Sequence, residues 1–374
     1  MRIDEVETFT AGGALYVRLT TDTGVQGIGE STCFGWPVAV EEVVRSFRSY
    51  LVGADPFDVE AHWLHLYRTL CFRGMVVVGA ISAIDQALWD IRGRHFEVPV
   101  WQLLGGRSRR AVRAMKVIRG DSAAAMADAA AGAMAAGYTA AKVILFGHEH
   151  HTMRHAARLA DLVERFTAIR DTVGWELDVG IELHRNMAPG DAVQLCEEIA
   201  PLRPYFVEDP IPPDSVLAFG EVGARVRVPL AAGERNTTIW EFREYACQPG
   251  VSYLRPDVGV AGGITHVRKI CALAEAHHQG ILPHAVPSGP VATAAHVHLG
   301  IAVPNWEAQE HVEQDGGLAS DLVKAVVPLI DGWLYPPDAP GLGVELDEEG
   351  LARTPVRAVR VGAPLREDGS VAIR

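Results

Sequence analysis

Leu177-Asp178-Val179-Gly180-Ile181-Glu182, Tyr205-Phe206-Val207-Glu208 and Val228-Pro229-Leu230-Ala231-Ala232-Gly233-Glu234 are three short apolar runs, each ending in a glutamate. The spacing is even, with Glu208 midway between Glu182 and Glu234. Val251-Ser252-Tyr253-Leu254-Arg255-Pro256 carries the series to Asp257 after a slightly shorter interval, and Gly280-Ile281-Leu282-Pro283 carries it to His284 after a slightly longer one. Ala302-Val303-Pro304-Asn305-Trp306 then leads to Glu310 after an interval equal to the first. A spacing of roughly 25 residues suits one strand, one helix and two loops. Strands separated by helices run parallel, because the return crossover needs the helix. Several such units close into a (β/α) barrel or open into a doubly wound sheet.

In a barrel the C-terminal ends of all strands face one mouth. Glu182, Glu208 and Glu234 would then converge, and converging carboxylates repel unless a cation sits among them. Oxygen ligands favour a hard ion, Mg²⁺ first. The plainer reading is that strands often end in a polar residue. Three glutamates in step, followed in phase by an Asp and a His, favour the site.

The 374 residues suffice for a barrel of about 250 residues and a smaller domain. A formal charge of −13 argues against nucleic acid or an anionic membrane as partner. An acidic small molecule stays open, because a bound Mg²⁺ reverses the local sign. Cys33, Cys71, Cys196, Cys247 and Cys271 are scattered and form no CxxC, which suits reduced thiols and a cytoplasmic location. Acids at Asp4 and Glu5 stand where a signal peptide needs an apolar core, and no apolar run approaches the ~20 residues of a membrane span.

The first hundred residues differ from the rest. Leu15 to Thr20 and Val25 to Glu30 read as a hairpin around Thr21-Asp22-Thr23-Gly24. Ser31 to Pro37 is a loop whose Phe34 and Trp36 either close over a ligand or rest on the neighbouring helix. Helical periodicity covers Ala39 to Tyr50, Val59 to Leu70 and Ala80 to Phe96. The boundary falls near Arg107 to Arg110, giving an α+β domain at 1–109, a barrel at 110–335 and a C-terminal segment at 336–374. Within that segment, Val356 to Ala372 is expected to return to the first domain as a strand.

The barrel rhythm starts with a strand at Val112 to Lys116, a helix at Ser122 to Ala136 and a strand at Ala140 to Leu145. The next interval, from Lys142 to Glu182, is much longer than the others and holds His148, His150, His151 and His155. A metal site and a polar surface segment are both open there, and no ligand spacing supports the metal. Helices follow at Asp191 to Ala200, Ile239 to Ala246 and Thr265 to His278, with His277 and His278 in the last turn, where a cation suits the helix dipole. Gly262-Gly263 is too short a signal for a phosphate loop.

At the mouth, His184 follows Glu182 by two residues and in extended geometry would share its side. Asp257 beside His284 would raise the imidazole pKa and fix its tautomer, as a general base requires. Lys142 and Glu310 stand at further strand ends. A cation, two histidines and an extra acid suit proton abstraction next to a carboxylate.

Val207-Glu208-Asp209-Pro210, Ala232-Gly233-Glu234-Arg235, Leu254-Arg255-Pro256-Asp257, Ala261-Gly262-Gly263-Ile264-Thr265 and Ala83-Ile84-Asp85-Gln86-Ala87-Leu88-Trp89-Asp90 together resemble the enolase superfamily, mandelate racemase subgroup. The likeness covers nearly the whole chain and is greatest to sugar-acid dehydratases of the galactonate dehydratase type. It implies a modified TIM (β/α) barrel, capped by an α+β domain that the C-terminal tail completes. It implies one Mg²⁺ on Glu182, Glu208 and Glu234, a sugar-acid substrate and a homo-oligomer. His284 would be the base oriented by Asp257, and His184 the acid. Glu310 would hydrogen-bond the enediolate oxygen, and Lys142, Trp36 and Arg235 would bind substrate.

Two departures stand out. The subgroup usually has Asp at the first ligand, where this chain has Glu182, and its racemases carry Lys-x-Lys where this chain has Lys142-Val143-Ile144. The missing second lysine favours dehydration over racemisation. A racemase or epimerase using His184 and His284 from opposite faces, and a non-catalytic binding relative, are the competing readings.

Overall fold

The computed structural model describes all residues except 70, 286–287, 313–317, 358–361 and 373–374, and it omits the side chains of 318–319. The expected helix end at Leu70 and part of the expected strand at 356–372 lie outside the described residues.

The N-terminal domain opens with an antiparallel meander of β1 (Ile3–Ala11), β2 (Ala14–Thr21) and β3 (Gln26–Ser31). Helices α1 (Pro37–Leu51), α2 (Val59–Thr69), α3 (Met75–His95) and the short α4 (Val100–Leu103) follow. α3 is buried without a break from Val78 to Ile91, so even its polar residues Ser82, Asp85, Gln86 and Asp90 face the protein rather than water. β3 lies flat on it. Gly27 and Gly29 share one strand face and meet Ala87 and Ala83, one helical turn apart. A Cβ on Gly29 would stand 1.9 Å from the Ala83 carbonyl oxygen, and one on Gly27 would stand 2.1 Å from that of Ala87. The buried polar groups of α3 bond the same strand: Gln86 pairs with the Glu30 backbone, and Asp90 accepts from the Ile28 N–H.

Eight parallel strands form the barrel: β4 (Val112–Ile118), β5 (Ala140–Ile144), β6 (Asp178–Glu182), β7 (Val207–Glu208), β8 (Leu230–Ala232), β9 (Val251–Leu254), β10 (Gly280–Ile281) and β11 (Gln309–His311). Each of the first six pairs with the next, and β11 returns to β4 with Gln309 opposite Ala114. The ring closes between β10 and β11 through a bridge from Ile281 to Trp306. The crossovers are α5 (Ala123–Ala135), α6 (His155–Val173), α7 (Pro189–Ile199), α8 (Val216–Gly223), α9 (Ile239–Ala246), α10 (Gly263–Ala276) and α11 (Pro290–Ala302). Met115, Ala140, Phe206, Ala231, Leu282 and Ala308 form a separate buried cluster drawn from strands all round the ring.

After β11 a hairpin of β12 (Leu329–Ile330) and β13 (Trp333–Leu334) pairs antiparallel with the start of β4. A last helix, α12 (Glu348–Arg353), lies against β1, and Val356 bridges Gly12. Among the described residues the C-terminal segment thus meets the first domain at two isolated bridges, Val356 with Gly12 and Gly341 with Pro99, rather than as a strand.

Several sequence expectations need correction. Ala302 to Trp306 is not a strand: Ala302 ends α11, and its run of Ala and Val is the buried face of a helix. Glu310 lies inside β11 rather than past its end. The long interval after Lys142 holds the 19-residue α6, which the histidine-rich start concealed. His150 is buried and its Nε2 hydrogen-bonds Asp161 Oδ2 at 2.8 Å, so the histidine segment contributes a structural contact. α10 ends at Ala276; His277 caps it, and His278 follows with φ 57°. The five cysteines are free, and among the described residues no helix is long and apolar enough to cross a membrane.

The packing makes stability testable at two places. Gly29→Ala forces a methyl group into a backbone oxygen and should cost about 1–3 kcal/mol in urea unfolding; a variant as stable as the parent would contradict the β3–α3 contact. His298 on α11 accepts from the Trp101 N–H at 3.2 Å and bonds the Leu342 carbonyl at 3.0 Å, which requires the neutral ring. Burial lowers its pKa to about 4. The unfolded chain, with an ordinary histidine near 6.5, binds the proton first, so stability is intact above that pH and lost as pH falls from 6.5 to 4. The loss is about 3 kcal/mol for this one group. His298→Gln should flatten that part of the unfolding free-energy profile against pH.

Candidate active site

Each barrel strand ends by turning its chain into the mouth, and the acidic residues stand at those turns. Glu182 and Glu208 are the last residues of β6 and β7, and Glu234 stands two residues past β8. One carboxylate oxygen from each of the three lies within 4.8 Å of the other two. Glu182 and Glu208 are fully buried, and Glu234 nearly so.

Buried cations hold this cluster. The Lys142 ammonium, from β5, stands 3.2 Å from Glu182, 2.9 Å from Glu208 and 2.7 Å from Glu310. Its three N–H donors therefore have three carboxylate acceptors. Arg255, just past β9, is fully buried and reaches Glu208 through Nε, Glu310 through Nη2 at 2.8 Å and the Leu282 carbonyl through Nη1 at 2.9 Å. Arg185 bridges Glu234 and Asp209. The field is uneven. Burial and the charge of Glu208 push Glu182 well above the ordinary carboxylate range, in spite of Lys142. Burial works the same way on Glu208, but Arg255 and Lys142 outweigh it and bring that group down. A donor set in which one carboxylate is still held high is short of positive charge. A hard divalent cation among Glu182, Glu208 and Glu234 supplies it, so these residues fit Mg²⁺.

His284 lies three residues past β10. Its Nδ1 bonds Asp257 Oδ2 at 2.9 Å, and its Nε2 points back toward Glu234 at 3.7 Å. Burial pulls the imidazole pKa down, but the Asp257 bond and the charges of Glu234 and Glu310 prevail and set it at about 9. Asp257 is itself anchored: its other oxygen accepts from Thr32 Oγ1 at 3.0 Å and from the Gly259 N–H at 2.7 Å. Thr32 immediately follows β3, so the N-terminal domain contributes to the dyad.

The surrounding cavity measures about 480 Å³ and is lined by Lys142, His184, Arg185, Glu234, Asp257, His284 and Glu310, among others. Phe34 and Trp36 form part of its wall while 67% and 59% exposed, and Trp36 also borders Pro37, Val38 and Ala39 of α1. All the expected site residues except Glu182 and Glu208, which lie beneath the floor, line this cavity.

One expectation about how they arrive is wrong. His184 is not extended; it has φ 48° and Arg185 has φ 67°, so the chain coils back and the His184 N–H bonds Glu182 Oε1 at 2.7 Å. Gly262 and Gly263 have positive φ and start α10 under the N-terminal domain, where Asp85 accepts from the Thr265 N–H. Glu310 is ionised, held well down by Lys142 and Arg255 against its burial, and its second oxygen also accepts from the Ala285 N–H at 3.0 Å.

Thr32, Arg185, Arg255 and Arg119 are site residues that the sequence reading does not single out. The strand-end rule, applied to β4, would have found Arg119, the residue after Ile118. Arg255 stands within the quoted Leu254-Arg255-Pro256-Asp257 segment. Thr32 carries no local signal, because its partner Asp257 is 225 residues away.

Known proteins share this sequence and fold. Residues 5–105 match the family model described as mandelate racemase / muconate lactonizing enzyme, N-terminal domain, and residues 125–350 match that described as enolase C-terminal domain-like. A D-galactonate dehydratase of Xanthomonas euvesicatoria is 35% identical over 363 residues, covering 95% of this chain and 94% of that one. A crystal structure of an enolase from Agrobacterium radiobacter, a proposed galactarate dehydratase bound to sodium and L-malate, superposes with a TM-score of 0.94 at 30% identity over all of both chains. A mandelate racemase/muconate lactonizing enzyme from Jannaschia sp. CCS1 gives 0.88 at 31% identity, covering 96% of this chain and 99% of that one. The chain belongs to the mandelate racemase/muconate lactonizing enzyme family of the enolase superfamily, as one of its sugar-acid dehydratase-like lyases.

Proposed function

We propose that the protein removes water from a sugar acid, aldonate or aldarate, to give a 2-keto-3-deoxy acid. The observation that carries this reading is the Asp257–His284 pair, an oriented base in the cavity, aimed at the wall that Glu234 shares with the carboxylate cluster. His284 Nε2 takes the proton from C2 of the bound acid in its neutral form, and Asp257 turns this nitrogen toward the substrate. A cation offsetting the charge of Glu234 would favour that form over the protonated ring that Asp257, Glu234 and Glu310 otherwise hold. Mg²⁺ on Glu182, Glu208 and Glu234 would hold the substrate carboxylate and neutralise the negative charge that builds there as the proton leaves.

His184, on another strand end of the same cavity, gives a proton to the departing C3 hydroxyl. Burial and then Lys142 hold the free imidazole down to about 4. The substrate's own negative charge offsets Lys142 and lets His184 carry that proton into the step. The resulting enol becomes the keto acid by taking a proton at C3. Lys142 cannot serve as a second base while three carboxylates hold its protons; as carboxylates turn to the metal it is released to bind the substrate carboxylate. An ionised Glu310 has no proton to give the enediolate oxygen, so its part is to fix Lys142 and Arg255 around that oxygen.

The test is a screen of aldonic and aldaric acids with magnesium for 2-keto acid formation. His284→Asn should lower kcat by about 10³-fold or more in any acid that turns over. Solvent deuterium in recovered, inverted substrate without keto acid would replace the reading by a racemase. Metal dependence has its own readout. Magnesium should raise the melting temperature of the parent and not that of Glu208→Gln, because a ligand that binds only the folded state stabilises it; equal shifts would remove the metal from these glutamates.

A further inference from the structure

The cavity has two electrostatic halves. In the inner half every cation is already paired: Lys142 and Arg255 with glutamates from three strands, and Arg185 with Glu234 and Asp209. The outer half is different. Arg119 and Arg235 both line it, and among the described residues neither has a carboxylate partner or a hydrogen bond to another side chain. Arg119 leaves the end of β4 and Arg235 follows Glu234 past β8. These are the first and fifth strands of an eight-strand ring, so the two side chains rise from opposite walls of the mouth. Phe34, Trp36 and Met75 line the same cavity and, among the described residues, add apolar side chains but no counter-charge.

A sugar acid held by one carboxylate in the inner half reaches this region with its far end. In an aldonate that end is a neutral hydroxymethyl group, which leaves two guanidinium groups unanswered beside apolar side chains. In an aldarate it is a second carboxylate, which two guanidinium groups receive as charge-assisted hydrogen bonds.

We infer that the substrate is a dicarboxylic sugar acid, whose second carboxylate is received by Arg119 and Arg235. The inference rests on the sugar-acid reading above; it departs from the curated relatives named for galactonate, a monocarboxylate, and sides with the Agrobacterium radiobacter structure described as a proposed galactarate dehydratase. Arg119 and Arg235 then act as specificity-determining residues remote from the bonds that break.

The experiment compares matched pairs that differ only at the far carbon: galactonate with galactarate, gluconate with glucarate, mannonate with mannarate. The parent enzyme with magnesium should favour the diacid of its preferred pair by about tenfold or more in kcat/KM, as expected for charge-assisted bonds to one added group. The double variant Arg119→Gln/Arg235→Gln should lose that preference, mainly through KM, and Arg119→Lys/Arg235→Lys should restore part of it. Both side chains are exposed, and unchanged melting temperatures will show that the variants are folded. A parent that favours the monoacid, or a double variant that keeps the diacid preference, overturns the inference while leaving the dehydratase reading intact.

Calorimetric titration of the same acids into the magnesium-loaded protein covers the opposite case. An arginine-dependent preference for diacid binding without turnover upholds the inference and removes the dehydratase reading. No preference in either turnover or binding overturns the inference.

Discussion

Lys142 and Arg255 lie under the barrel mouth with four buried glutamate oxygens between 2.7 and 3.2 Å from one or other of them. Most of what this site can do depends on that buried ionic lattice. Three carboxylates cannot be gathered in a low-dielectric pocket by packing alone, since each would take up a proton instead. Two internal cations keep Glu208 and Glu310 ionised, while Glu182 is left high. The lattice is also fragile in a specific sense. Removing one partner of a buried ion pair leaves an uncompensated charge, which is costlier than losing the pair as a whole. Lys142 therefore serves the fold before substrate arrives, and this resolves an apparent conflict in the position of a lysine that is both saturated with carboxylates and open to the cavity.

The N-terminal domain is more than a cover. Two polar positions at the end of its third strand, Glu30 and Thr32, grip the Asp257–His284 pair and the helix beyond it. Thr32 holds Asp257, which holds His284. Glu30 accepts from the N–H groups of Gly289, Val291 and Ala292, so it caps the helix that follows the His284 loop. Burial nevertheless pushes the Glu30 pKa up to about 7, which measures how completely the interface excludes water. The glycine contacts of β3 with α3 fix where this strand lies, and through Thr32 they also set the base. A substitution such as one at Gly29, far from any substrate, reaches His284 through two hydrogen bonds.

The barrel was legible because strand ends repeat. The even interval is a property of one strand-and-helix unit, and it brings Glu182, Glu208, Glu234, Asp257 and His284 to the mouth on sequence position alone. The same rule failed where the unit changes length. α6 stretched the interval between Lys142 and Glu182 and was hidden behind a histidine-rich start, and the apolar residues where α11 ends, Ala302 and Val303, imitated a strand. Residues that act through another segment were not legible at all. Thr32 is a threonine in a loop until the chain folds, and Arg255 is one more arginine until it is found fully buried. Local pattern reports elements; pairings between distant segments are written only in the folded chain.

Glu182 is where the chain departs from the usual aspartate, and the structure shows how the longer side chain is accommodated. Its two oxygens are taken separately, one by Lys142 and the other by the N–H of His184, two residues on. The second bond requires the chain to leave β6 in a left-handed turn, as His184 and Arg185 do at φ 48° and 67°. Such positions cost non-glycine residues free energy and persist only where the surroundings compensate. Here the compensation is threefold: a buried carboxylate gains a donor, His184 joins the cavity wall, and Arg185 is aimed at Glu234 and Asp209. The extra methylene therefore does not displace the carboxylate outward. It folds the carboxylate back under its own backbone, where its oxygens still meet those of Glu208 and Glu234. In this chain the longer side chain and the left-handed turn are tied by the hydrogen bond from the His184 N–H to Glu182 Oε1.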